Sequence, residues 1–468
     1  MAKLYVFGIG GTGSRVLRSL TMMLASGVKI SADEIVPIVI DPDQANADLT
    51  RTITLMNDYA QINSKLTFSE GNQNQFFKTR LEKLLNNYTL VIKDTNDKEF
   101  RQFIDLSSMS MENQAMTQML FSDQNLHSSM QVGFKGNPNI GSVVLNQIVN
   151  SDGFTTFANS FEQGDKIFII SSIFGGTGSS GFPLLLKTLR KNKSIPNFAN
   201  INQAVIGAVT VLPYFRLENN EESEIDSSTF ISKARSALAY YEKNISANHQ
   251  INALYYLADD LTNTYENNEG GANQQNAAHL IEFMAATAVV DFCNDEFTLD
   301  STIHKEVGLK KAGATITFND FYDGLGDMLC APLTQFILSA NCFTDKFKFI
   351  SSSEVAANQS LGLSSDFYKS PFVRNLKEFF DDYKEWLKEL KENKRALNLF
   401  NLSVGDTPFD VVTDIKPLSV RSFKSNYSLF ADRLSSSTSK CRSNAQEDKL
   451  LELYSIATKR LVKEKFNF

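Results

Sequence analysis

The sequence predicts an α/β fold: a doubly wound, mostly parallel, Rossmann-like sheet with a central helix, followed by a second, C-terminal α+β unit. Three observations predict it. Apolar runs alternate with helical stretches over roughly the first 300 residues. The runs are continuously apolar, as in strands buried on both faces. Two of them end in glycine-rich turns that open helices. With 468 residues, 42% of them hydrophobic, the chain can bury a large core divided among two or three units.

The first element is the strand "KLYVFGI" (3–9). The stretch "GTGSRVLRSLTMMLASG" that follows carries Val16, Leu17, Leu20 and Leu24 at helical spacing, and "EIVPIVID" (34–41) is a second strand. Strand, helix and strand make a βαβ unit, which requires parallel pairing. Further strands are expected at 88–92, 166–172, 203–212 and 253–259, with helices at 181–191, 224–244 and 273–293. The polar segment "ENNEGGANQQN" (266–276) reads as a surface loop. Past residue 345, "PFVRNLKEFFDDYKEWLKELKENKR" (371–395) is an amphipathic helix whose Phe372, Leu376, Phe379, Tyr383, Trp386 and Leu390 form one stripe expected to pack inward. The last 26 residues read as another helix. No internal repeat is found.

Composition argues against several classes. A net charge of −7 and a pI near 5.4 offer no basic face for nucleic acid. The four cysteines, Cys293, Cys330, Cys342 and Cys441, have no metal-ligand spacing and suit free thiols in a reducing compartment. The four histidines are not paired at helical spacing, so a histidine-based metal centre is not expected. Neither a signal peptide nor a membrane span is read, and a cytoplasmic protein is expected.

The chemistry lies in three glycine loops. In "GIGGTGSR", Gly8, Gly10, Gly11 and Gly13 follow a strand and open a helix, where backbone N–H groups can meet a phosphate at the positive end of the helix. Asp41 and Asp43 end the next strand, where a ribose or a metal would be contacted. Taken alone, this loop also fits a dinucleotide oxidoreductase or an adenylating enzyme. "GFKGNPNIG" (133–141) and "SSIFGGTGSSG" (171–181) add two more loops, which a dinucleotide fold does not need. In "GNPNIG", Pro138 pre-sets a helix start, with neighbouring N–H groups expected to stay free for a terminal phosphate.

Together these segments resemble the tubulin/FtsZ superfamily, in order over about residues 3–340, and the chain is similar to its divergent prokaryotic tubulin-like members. "GIGGTGSR" (with Gly10, Gly11, Thr12 and Gly13) is similar to the first phosphate loop, and "IDPDQAN" places Asp43 and Gln44 on the family's acidic loop. "GNPNIG" (Gly136, Asn137, Pro138) resembles the loop that senses the third phosphate. "FGGTGSSGFP" resembles the signature loop through Gly175, Gly176, Thr177, Gly178 and Ser179. "AVTVLPYF" is similar to the sugar-side loop, and "NAAHLIEFMAATAVVDF" to the central helix, whose Asn276 would read the guanine edge.

The resemblance implies GTP or GDP as ligand, with Mg2+ carried mainly by the phosphates. It also implies GTP hydrolysis upon head-to-tail self-association into a filament. The catalytic acids of such an enzyme fall on Asp320 and Asp323 of "TFNDFYDG", which would complete the site of the next subunit. A non-hydrolysing or monomeric nucleotide switch is the alternative if that segment is only a turn, and an adenylating enzyme is the more distant one. The expected division is 1–293 for nucleotide binding, 294–345 for an insertion, catalytic loop and helix, and 346–468 for an accessory unit open to a protein partner.

Overall fold

The computed structural model describes residues 2–93, 95, 97–130, 133–134, 136–218, 227–266, 271–306, 308–310, 313–352, 354–419 and 426–468. In chain order its strands are β1 (Lys3–Ile9), β2 (Glu34–Ile40), β3 (Arg80–Leu81), β4 (Lys166–Ser172), β5 (Val205–Val211), β6 (Arg216–Leu217), β7 (Ala253–Leu257), β8 (Thr264–Tyr265), β9 (Ile303–Glu306), β10 (Thr315–Ile316) and β11 (Ala396–Leu397). Seven of them form one sheet in the order β3-β2-β1-β4-β5-β7-β9. All of its pairings among the described residues are parallel.

Helices α1 (Gly10–Ala25), α2 (Ala47–Asn63), α3 (Pro138–Leu145), α4 (Gly176–Lys191) and α5 (Phe230–Tyr241) belong to the first part of the chain. Helices α6 (Leu280–Asn294), α7 (Asp323–Asp345), α8 (Pro371–Glu392) and α9 (Gln446–Phe466) follow. The strand order reverses direction between β1 and β4. In such sheets the crevice beyond the carboxyl ends of the two strands at that point is the usual ligand position. Helices α1 and α4 start there, directly after β1 and β4.

The apolar runs become strands because both faces are covered: Leu4 to Ile9 of β1 and Ile167 to Ser172 of β4 are buried throughout. Helix α6 is buried on nearly all sides, as expected of a helix that is apolar all round. It lies between the sheet, where Phe292 meets Phe168 at 5.1 Å, and α8, where Phe283 stacks on Trp386 at 5.9 Å. The six-residue stripe of α8 is fully buried. Its Phe379 meets Phe77 at 4.9 Å, so one hydrophobic core runs from the sheet into the C-terminal helices.

Several expectations are corrected. Residues 88–92 make no strand: Tyr88 has φ +56°, and Thr89 touches Val39 through an isolated bridge. The central helix begins at Leu280, not near 273, because His279 stops it there by capping. Its Nδ1 accepts the Ile281 N–H at 3.0 Å, while Glu282 accepts the His279 N–H at 3.2 Å. The intervening segment after α6 supplies β9, an exposed edge strand added to the main sheet. Lys135, residues 224–226 of the expected helix and residues 267–270 of the polar loop lie outside the described residues. Among the described residues no helix is long and apolar enough to cross a membrane, and all four cysteines are free thiols.

Candidate functional site

The three glycine loops meet at one cavity of about 270 Å³. The first loop lines it with Gly10, Gly11 and Thr12, the second with Gly133, Phe134 and Gly136, and the third with Gly175, Gly176, Thr177 and Gly178. The loops brace one another. Gly10 has φ +69°, and a Cβ there would stand 3.3 Å from the Thr177 Cβ. At Gly176 a Cβ would stand 2.9 Å from the Phe134 Cβ and 3.1 Å from the Asn137 nitrogen. Side chains at these two positions would drive the loops apart.

Two helix N-termini open into this cavity without a side-chain cap. The residues before α1 and α4 are Ile9 and Gly175, neither makes a capping hydrogen bond, and neither helix has an acid in its first turn. Of the other numbered helices, α2, α3, α6 and α8 have side-chain caps from Asn46, Asn137, His279 and Ser370, while α5, α7 and α9 begin without one. Two sets of unclaimed N–H groups at the positive ends of 16-residue helices make a cradle for an extended anion.

The other predicted residues divide between lining and support. Asp43 and Asn276 line the cavity. Gly13 does not: it lets α1 lie against β1, since a Cβ there would come within 2.3 Å of the Gly8 carbonyl carbon. Gln44 donates to the Asp41 carbonyl, and Ser179 to the Gly175 carbonyl. Pro138 starts α3, but the neighbouring amides are not left free. The Asn137 side chain accepts from the N–H groups of Asn139 (3.0 Å) and Ile140 (3.3 Å), so this loop contributes shape and not an open helix end.

Sequence reasoning passed over Arg15, Tyr265, His279, Glu282 and Asn393, all of which line the cavity. Arg15 bonds Glu282 and lies 3.5 Å from Asp48. Asp48 in turn pairs with Arg51 at 3.1 Å and accepts the Asn276 amide at 2.7 Å. Burial holds the His279 ring neutral, with its pKa lowered to about 3. Since Nδ1 accepts from Ile281, the ring proton sits on Nε2, which has no partner among the described residues.

On the acidic side, Asp41 accepts the Asp43 N–H at 3.0 Å, and Asp43 Oδ1 is buried without a hydrogen-bond partner. That unpaired oxygen suits a ribose hydroxyl or a phosphate-borne Mg2+. Among the described residues no group of three His, Cys, Asp or Glu side chains could hold a metal ion. Burial, with Asp43 adding repulsion, pushes the Asp41 carboxyl up to about 7.

An unfolded Asp releases its proton near pH 3.9. Between there and about 7 the folded state binds more protons, and this group's contribution to stability falls as pH rises. The ligand-free protein is therefore expected to lose, relative to Asp41→Asn, on the order of a few kcal/mol between pH 4 and pH 8. Parallel pH–stability curves for the two proteins would contradict this.

Asp320 and Asp323 lie outside the cavity lining. Asp320 is a turn residue whose carboxylate accepts from the Thr317 N–H (2.8 Å) and hydroxyl (3.1 Å). Asp323 is exposed and paired with Lys310. Strand β9 runs parallel to β7, so the chain leaves it at the same sheet edge as the glycine loops. Leu309 bridges Phe321, and Phe321 packs on Phe283, about one turn past the cavity-lining His279. Phe321, next to Asp320 in sequence, thus packs on the first turn of α6.

Solved structures the chain is similar to include FtsZ and CetZ proteins. An empty FtsZ dimer from M. jannaschii matches at 16% identity, over 55% of this chain and 45% of that one, with a TM-score of 0.27. CetZ2 from Haloferax volcanii, a GTPγS-bound protofilament, matches at 15% identity over 55% and 49%, with a TM-score of 0.27. CetZ1 from the same organism, a GDP-bound monomer, matches at 12% over 55% and 51%, with a TM-score of 0.28. The matched region spans about half the length of these chains. No family model matches, and no curated protein matches. The site stands on its own geometry.

Proposed function

We propose that this chain binds a guanine nucleoside triphosphate in the cavity between the three glycine loops and works as a nucleotide switch of the tubulin/FtsZ type. The observation that carries the reading is the pair of uncapped helix N-termini, α1 and α4, facing one cavity beside Asp43. Those amides would take the α and β phosphates, Gly136 would border the third, and Mg2+ on the phosphates would neutralise their charge.

Asn276 supports guanine. Asp48 offers only acceptors, so the Asn276 Nδ2 must face it, which leaves Oδ1 as the group for a base. Guanine carries adjacent N1–H and N2–H2 donors, which adenine lacks.

Hydrolysis needs an acid to orient water in line with the third phosphate. Among the described residues the acids lining the cavity are Asp41, Asp43, Glu266 and Glu282. Glu282 is held by Arg15, and Asp41 stays largely protonated up to about pH 7. Turnover by a lone subunit would then rest on Asp43 or Glu266. A head-to-tail neighbour would have to present Asp320 and Asp323 to the pocket of the next subunit. The filament-linked GTPase is the second reading, kept by the exposed carboxylate of Asp323.

One experiment tests both. Titration with GTP, GDP and ATP is expected to show GTP at least about ten-fold tighter than ATP. GTP turnover per subunit is expected to be independent of protein concentration and unchanged in Asp323→Ala. Equal ATP affinity would remove the guanine assignment. Turnover that rises with concentration and collapses about a hundred-fold in Asp323→Ala would put the filament mechanism in place of the switch.

A further inference from the structure

The wall of the cavity beside the glycine loops is aromatic, and a segment from the far end of the sequence holds it. Tyr265, Tyr214 and His279 all line the cavity. The Tyr214 ring lies 4.7 Å from the His279 ring, and Tyr265 lies 6.1 Å from it, edge-on. Tyr265 also meets Phe215 edge-on at 6.0 Å. A phosphate chain has no use for such a wall, whereas a flat base packs well on it.

The residues that follow α8 fix this wall. Asn393 lines the cavity and accepts the Tyr265 hydroxyl at 2.6 Å. Its Nδ2 donates to the Ala278 carbonyl at 3.0 Å, which anchors the residue preceding His279. Lys394 places its ammonium 5.3 Å over the Tyr265 ring and donates to the Thr264 carbonyl. Arg395 pairs with Asp259 at 2.6 Å, just past the end of β7. Three consecutive residues thus clamp both sides of the aromatic wall, although more than a hundred residues separate them from it in sequence.

We infer that Asn393 is a positioning residue for the nucleobase: by holding the Tyr265 hydroxyl and the Ala278 carbonyl, it sets the spacing of the wall on which the base packs. The inference rests on the nucleotide reading and deepens it. It makes the C-terminal unit part of the ligand site, and it separates the site into a phosphate half built by glycine loops and a base half braced from residues 393–395. Affinity for a nucleoside triphosphate depends on Asn393, and affinity for the bare phosphate chain does not.

The test is titration calorimetry with two probes, GTP and inorganic tripolyphosphate, each with Mg2+. The proteins are the wild type, Asn393→Ala and Tyr265→Phe, the last removing only the hydroxyl that Asn393 accepts. Expected is a loss of about ten-fold in GTP affinity for Asn393→Ala and a smaller loss for Tyr265→Phe, with tripolyphosphate affinity unchanged within about two-fold in both. GTP affinity equal to wild type in both variants would overturn the proposal. Equal weakening of both probes would also overturn it, because that is the mark of general damage. If Asn393→Ala does not fold, Tyr265→Phe decides alone by the same comparison. A wild-type protein that binds neither probe would overturn the nucleotide reading itself, whereas one that binds tripolyphosphate and GTP equally tightly would overturn only the base half.

Discussion

Gly176→Val is expected to lose at least about a hundred-fold in GTP affinity while keeping the circular dichroism spectrum of the wild type. The reason differs from the usual one for a phosphate loop. A Cβ at this position meets the Phe134 Cβ at 2.9 Å and the backbone nitrogens of Asn137 and Gly136 at 3.1 and 3.2 Å. Backbone atoms cannot step aside as a flexible side chain would, so the second loop must move away from the third. The two valine methyl groups add to that displacement, and the cradle widens just where the phosphates need several amides at once. The cost to the fold is that of local overpacking, about 1–3 kcal/mol, which a core of this size tolerates. Calorimetric titration alongside thermal unfolding decides it. A folded variant with wild-type affinity would show that these loops do not hold the ligand.

Glu389→Ala is expected to be the most destabilising single change near the site, by about 3 kcal/mol or more. Glu389 accepts from Arg18 at 2.6 Å and 3.2 Å, from Arg51 at 2.7 Å and from the Ala278 N–H at 2.8 Å. All three side chains are largely buried, Arg51 being the most exposed at 23%. Truncation would leave Arg18 and the Ala278 amide without this acceptor and Arg51 with only Asp48 and the Asn276 carbonyl, and that imbalance costs more than the intact pair contributes. Glu389→Gln, which keeps the shape and one acceptor, is expected to lose roughly half as much. Urea unfolding measures both. A midpoint for Glu389→Ala within error of the wild type would show that water replaces the carboxylate.

Much of the fold was legible because β1, β2, β4, β5 and β7 are short apolar runs soon followed by glycine, proline or polar residues, and a buried parallel strand leaves that trace. Strand β9 left none. "IHKE" is exposed at three of its four positions, so an edge partner and not its own composition makes it a strand. The start of α6 was misplaced because histidine is an unusual cap, and the box it forms with Glu282 depends on burial that the sequence does not display. In the site, the glycines were legible from their spacing, since close backbone approach demands them. Asn393 was not, for its role comes from a contact with Tyr265 across 128 positions.

The mutual bracing of the glycine loops has a consequence for how substitutions there combine. Thr177 stands against Gly10, and Phe134 against Gly176. Changes on the two sides of one such contact share a single displacement, so their effects would not add: an enlargement at Phe134 would cost less once Gly176→Val has already pushed the second loop aside.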